Sequence, residues 1–189
     1  MSKDRKQIIL QSLAKLLEER DATKVTTASL AKESGITEAA LYRHFPSKRS
    51  IFLELFTFCD ETIFHKVGEI KKEGIGSDEK IRLIFFFFVI FLEKNKGFAR
   101  ILSREALGPN EKNVIDAVNQ FYERLELSMK QILTSHKENL QLTPGISSHL
   151  ITSIMEGIIS RFIRNGFKEM PSGYIENYWS LLSRSLFKN

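Results

Sequence analysis

Between Thr26 and Lys48 the chain gathers the side chains best suited to meet a nucleic acid. Thr26, Thr27 and Lys48 fit contacts to a phosphate backbone, while Tyr42, Arg43 and His44 are donors able to reach phosphates or bases. Thr37 can cap a helix whose free N–H groups and dipole favour a phosphate. Glu38 and Ala39 follow at the front of that helix. There a carboxylate can accept from a cytosine amino group, and a methyl can meet a thymine methyl. Two assignments stay open. Tyr42 either touches DNA or packs into the small core beneath, and His44 is either a contact or an ordinary surface histidine.

Holding these groups in register takes two short helices, expected near 27–34 and 37–45, that cross steeply. Ala31 is small enough for the crossing point, and Gly35 accepts the positive φ that the turn between them demands. Leu30, Ile36, Leu41 and Phe45 can close a core under the pair. This is the pattern of a helix-turn-helix, whose second helix enters the major groove.

Charge agrees with that placement. Of the net +5 carried by 189 residues, four charges belong to the first fifty, where ten Lys and Arg stand against six Asp and Glu. A basic N-terminal region either meets a polyanion or is a solvated face. A single cysteine, Cys59, excludes an internal disulfide and a thiolate cluster. No signal peptide is legible at the N-terminus, and the apolar run ending at Leu92 is about half of the roughly 20 residues a bilayer crossing needs. A cytoplasmic protein without a membrane partner is therefore expected.

Elsewhere the apolar spacing is helical and no strand pattern emerges. Ile9, Leu13, Leu16 and Leu17 mark a first helix that ends before Thr26. Ser47 can cap a fourth helix with the stripe Ile51, Phe52, Leu55 and Phe58, broken at residues 74–77. Residues 78–94 form a fifth, apolar nearly all round and so expected to be buried on every side. A shorter helix near 97–107 stops at Gly108-Pro109. Val114, Val118, Phe121, Leu125, Met129 and Ile132 mark a long seventh, and 137–145 reads as loop. Ile151, Ile154, Met155, Ile158, Phe162 and Ile163 mark an eighth, and Ile175, Tyr178, Trp179, Leu182 and Leu186 a last. The expected fold is all-α, with about nine helices.

Gly35 to Lys48, G-I-T-E-A-A-L-Y-R-H-F-P-S-K, resembles the signature of TetR-family transcriptional regulators, including its Tyr-x-x-Phe-x-x-Lys ending at Tyr42, Phe45 and Lys48. The resemblance implies an all-α homodimer with a three-helix DNA-binding head, 1–47, and a C-terminal dimerisation body, 48–189. It also continues through the body. Ile9–Ala14, Arg100–Leu102, Glu156–Arg164 and Phe167–Pro171 resemble the branch of that family whose members are nucleoid occlusion factors. That branch implies binding to palindromic chromosomal sites, by one dimer or two, and inhibition of the division protein FtsZ through capture of its C-terminal tail. The positions matching the tail groove are Phe58, Lys66, Phe87, Ile90, Lys94 and Asn95. Phe58 and Asn95 keep the residue typical of the branch. Lys66 and Lys94 stand in place of arginine, Ile90 of glycine and Phe87 of leucine, so the cationic rim keeps its charge and loses its bidentate fork. Phe87 serves either the groove or ordinary packing.

In the TetR architecture the last two helices build the interface with the second subunit, which here implies Ile151, Met155, Ile158, Phe162, Tyr178, Trp179 and Leu182. The alternative is that these stripes cover the protomer's own core. An enzyme is not expected. The four histidines are scattered, and neither a metal-ligand spacing, a phosphate-cradling glycine loop nor a nucleophile motif is present, so no cofactor or metal is implied. The rival within the family is a ligand-responsive repressor, with the phenylalanine-rich fifth helix lining an effector pocket.

Overall fold

The computed structural model describes residues 2–19, 25–104, 106–107 and 112–188. Its α-helices are α1 (Ser2–Glu19), α2 (Thr27–Glu33), α3 (Glu38–His44), α4 (Lys48–Lys72), α5 (Ser77–Lys94), α6 (Lys96–Leu102), α7 (Lys112–Thr134), α8 (Pro144–Arg164) and α9 (Ile175–Leu186). Among the described residues the only extended pairing is an isolated bridge between Leu140 and Phe187. Among the described residues no helix is long and apolar enough to cross a membrane.

The chain divides into two compact units, Met1–Asp60 with Asn95–Asn119, and Glu61–Lys94 with Gln120–Asn189. The boundary expected between residues 47 and 48 falls inside the first of these units. The first unit takes in α6 because α1 and α6 pack against each other at Gly97. A Cβ there would lie 2.5 Å from the Ala14 carbonyl oxygen and 3.1 Å from the Leu17 Cβ, so only glycine admits the approach. Ile9, Leu13, Leu16 and Leu17 of α1 are buried as their spacing requires, and Phe98, Ile101 and Leu102 of α6 are buried with them. Helix α6 ends five residues short of the expected Leu107. Arg104 adopts a left-handed φ of 65°, and the Ala106 N–H closes back onto the Arg100 carbonyl at 3.3 Å. The expected stop at Gly108-Pro109 lies outside the described residues.

In the second unit α5 turns Ile81, Ile84, Phe85, Phe88, Val89 and Leu92 fully inward. Phe85 packs on Trp179 with centroids 6.0 Å apart, and Phe88 stacks on Phe121 at 6.2 Å. The helix is not buried on every side. Phe86, Phe87, Ile90 and Phe91 are half-buried, with the Arg82 guanidinium 4.6 Å above the Phe86 ring and Phe87 against Phe91 at 5.7 Å. One helix face is enough to fill this unit's core, and the remaining aromatics cover one another. The loop expected over 137–145 contains a short 3-10 turn at Lys137–Asn139 and ends early. Thr143 caps α8 by accepting the Ile146 N–H, and Pro144 occupies the first turn, where its missing N–H costs nothing.

Candidate nucleic-acid interface

The two-helix segment is assembled locally. The Thr26 hydroxyl accepts the Ser29 N–H at 3.1 Å while the Ser29 hydroxyl accepts the Thr26 N–H at 3.0 Å, a reciprocal cap that starts α2. Gly35 turns the chain with φ +64°. A Cβ there would meet nothing within 4 Å, so the requirement for glycine is conformational and not spatial. The Thr37 hydroxyl accepts the Ala40 N–H at 3.2 Å and starts α3. Ser47 accepts the Ser50 N–H at 3.1 Å and starts α4. Leu30, Ala31, Leu41 and Phe45 are buried beneath the pair.

That core orients the outward face. Glu38, Ala39, Tyr42 and Arg43 are exposed on α3, and Thr37 is exposed just before it. Tyr42 is 49% exposed, so it is not a member of the small core. Arg43 and His44 occupy the last turn of α3, where positive charge suits the helix dipole, and His44 is half-buried. Lys48 lies half-buried with its ammonium 5.2 Å from the Phe52 ring centroid. Two threonines have occupations the sequence did not disclose. The Thr26 hydroxyl accepts the Ser29 N–H in its cap and keeps its own proton, whereas the Thr27 hydroxyl donates to Glu38 Oε2 at 2.8 Å. The Lys15 ammonium donates to Glu33 at 2.7 Å, and that hydrogen bond raises the lysine above its ordinary pKa.

Of the residues expected to hold a partner peptide, Phe58 and Asn95 lie in the first unit and line one groove of about 450 Å³. Phe58 does not join the buried stripe of α4. It is 64% exposed, while Ile51, Phe52, Leu55 and Cys59 fill the interior. The other wall of the groove is α1, through Leu10, Gln11 and Ala14, which no motif pointed to as part of a groove. Burial pushes the Cys59 thiol, on the groove floor, up to about 12. Lys66, Phe87, Ile90 and Lys94 belong to the second unit. Lys66 donates to Glu69 at 2.9 Å, which holds that carboxyl below its usual range. Phe87, Ile90 and Lys94 follow at helical spacing on the outer face of α5.

The residues expected between subunits are placed mostly inside one. Ile151, Met155, Ile158, Phe162, Trp179 and Leu182 are buried in the protomer's own core, and among the seven only Tyr178 is exposed, at 37%. The widest apolar stripe on each helix answers to the core it folds against. The exposed apolar residues of α8 and α9 include Ile146, Tyr178 and Leu181, and Gly157 is exposed as well, where a Cβ would meet nothing within 4 Å. Leu181 was legible as an apolar residue lying off the Trp179–Leu182–Leu186 stripe. Among the described residues no His, Cys, Asp and Glu group could hold a metal ion.

Residues 9–55 match the profile of bacterial regulatory proteins of the tetR family, and residues 77–187 match the SlmA-like, tetracyclin repressor-like C-terminal domain. Over 188 residues the chain is 38% identical to the nucleoid occlusion factor SlmA of Vibrio cholerae serotype O1, covering 97% of this chain and 96% of that protein. It is 34% identical over 189 residues to the SlmA of Pectobacterium carotovorum subsp. carotovorum, with the same coverage of 97% and 96%. Among solved structures it superposes on the transcriptional regulator FadR from Bacillus subtilis in complex with stearoyl-CoA, with TM-score 0.78 at 16% identity, covering 95% of this chain and 98% of that one. NalD, the secondary repressor of the MexAB-OprM multidrug efflux pump in Pseudomonas aeruginosa, gives TM-score 0.77 at 18% identity with 100% of both chains covered. At these identities the structural likeness establishes the fold alone.

Proposed function

This chain belongs to the SlmA-like branch of the TetR family of DNA-binding regulators, and from that premise we propose that it is a nucleoid occlusion factor. In this reading it binds palindromic chromosomal sites as a homodimer and, while bound, keeps FtsZ from assembling over the nucleoid. The observation that carries the proposal is that similarity to named nucleoid occlusion factors spans 97% of the chain instead of stopping at the DNA-binding segment.

The chemistry follows from the two-helix segment. Thr26, Thr37, Tyr42, Arg43, His44 and Lys48 hold the duplex by phosphate contacts, while Glu38 and Ala39 read base edges in the major groove. A two-fold dimer presents two recognition helices roughly 34–36 Å apart, one duplex turn, which calls for a palindrome. We assign the subunit interface to the exposed faces of α8 and α9, with Ile146, Tyr178 and Leu181 as apolar contacts and Gly157 as the point of close helix approach. The FtsZ tail, acidic and apolar, suits an apolar slot with a cationic rim. Within the first unit, the groove lined by Phe58 and Asn95 supplies apolar and polar contacts, and within the second, Phe87, Ile90, Lys66 and Lys94 are the residues assigned to the tail by the same reading. A ligand-responsive repressor is the less favoured reading, because the inward face of α5 is filled by the chain's own Phe121 and Trp179.

Selection of bound duplexes from a random pool tests the first half, with a palindromic motif as the expected result. The second half is tested by titrating a labelled FtsZ tail peptide with and without the selected duplex. Duplex should tighten the peptide and slow FtsZ assembly. Equal peptide affinity in both arms, with assembly unaffected, would overturn nucleoid occlusion and leave a plain regulator.

A further inference from the structure

We propose that Thr27 is a positioning residue for sequence readout: it aims the Glu38 carboxylate at an amino-bearing base instead of gripping a phosphate. This rests on the DNA-binding reading above and assigns the origin of one part of its specificity. The Thr27 hydroxyl has a single proton, and that proton is given to Glu38 Oε2 at 2.8 Å. A donor so committed cannot also serve a phosphate oxygen. The bond joins residues eleven apart in sequence, one in the first turn of α2 and one in the first turn of α3. Both ends are fixed, since the Thr26–Ser29 reciprocal cap sets the first turn of α2 and Thr37 sets that of α3.

The consequence lies in the remaining oxygen, Oε1. A carboxylate carried toward DNA is repelled by the phosphates, and an untethered glutamate would swing away from them. The groups in the major groove that a carboxylate can accept from are the exocyclic amines of cytosine and adenine. Tethered through Oε2, Glu38 keeps Oε1 available for such an amine at no further ordering cost. It disfavours guanine and thymine at the same position, because their O6, N7 and O4 acceptors set lone pairs against the carboxylate with no proton between.

The test compares motifs selected from a random duplex pool by the wild-type chain, Thr27→Val, Thr27→Ser, Glu38→Ala and the double variant Thr27→Val/Glu38→Ala. Thr27→Val should lose discrimination at one base pair in each half-site by about tenfold, and Thr27→Ser should restore it. Thr27→Val should change nothing further in the Glu38→Ala background. Its low-salt affinity for unrelated duplex, its salt slope and its melting should stay those of the wild type, because the caps are untouched. An unchanged motif from Thr27→Val would overturn the assignment. So would uniform weakening on every duplex at an unchanged salt slope, the mark of a lost uncharged contact to phosphate. If the wild-type chain itself selected no motif, the DNA-binding reading would fall and this assignment with it, an outcome visible before any variant is made.

Discussion

Helix α3, 7 residues long, and helix α5, 18 residues long, were both expected to present binding surfaces, yet what each leaves to solvent is decided in different ways. On α3 one apolar residue, Leu41, is fully buried, and Glu38, Ala39, Tyr42 and Arg43 are left to solvent. The helix has a polar and an apolar side, so its direction is written into residue type. On α5 both faces are apolar. Phe85 and Phe88 are fully buried while Phe86, Phe87 and Phe91 are half-exposed. Identical side chains meet opposite environments there, so composition could not tell them apart. A surface made of polar groups on a short capped helix can be read in advance; one made of surplus aromatics cannot.

The sharpest way to break this contrast is to truncate both kinds of phenylalanine. Phe88→Ala should cost about 3–5 kcal/mol, while Phe87→Ala should cost under about 1 kcal/mol and spare the fold. Leu41→Ala belongs with Phe88, at about 2–5 kcal/mol. Thermal or urea unfolding measures all three, and equal losses at positions 87 and 88 would erase the distinction between the faces of α5. The next largest effect concerns the surfaces of α8 and α9. Leu181→Asp, at a residue 68% exposed in the protomer, should leave the helical content intact and shift sedimentation toward single subunits. Palindrome affinity should fall at least tenfold with it, roughly 1.4 kcal/mol. A Leu181→Asp chain that stayed dimeric would place the interface elsewhere.

Smaller changes are expected on α3 itself. Arg43→Ala should weaken binding to every duplex alike and lower the salt slope by about one, measured by anisotropy across a salt series. Glu38→Ala should alter sequence preference more than affinity. The smallest effect belongs to Cys59. Burial raises its pKa from 9.0 to about 12, so the folded chain retains a proton that the unfolded chain releases. This contribution is complete below the unfolded value and is lost as pH rises from there toward the folded one. Melting at pH 8 and pH 10 should therefore show a smaller decline for Cys59→Ala than for the parent chain. A decline of equal size would put the thiol in a wetter site.

Much of the DNA-binding segment was legible because it depends on neighbours in sequence. Thr37 caps its helix, Gly35 takes positive φ, and Leu41 and Phe45 point inward, each through contacts a few residues away. What escaped was the first link longer than one turn, Thr27 to Glu38. The groove was less legible still: Phe58 sits at helical spacing with Leu55 and looked like core, yet it is exposed beside α1 residues more than forty positions away. The α8 and α9 stripes were located correctly as apolar faces, but their destination, own core or second subunit, is set by contacts with other elements and not by the stripe itself.

The amino-acid order alone determined the helical period, the caps, the glycine turn and the polar face of α3, since each is settled by interactions within about one helical turn. Only the tertiary structure decided which phenylalanines of α5 are interior, that Gly97 must be glycine for α1 and α6 to touch, and that Thr27 is bonded to Glu38. Those outcomes depend on atoms distant along the chain meeting at a few ångströms, and hydrophobic burial, being non-directional, does not encode such meetings in local pattern.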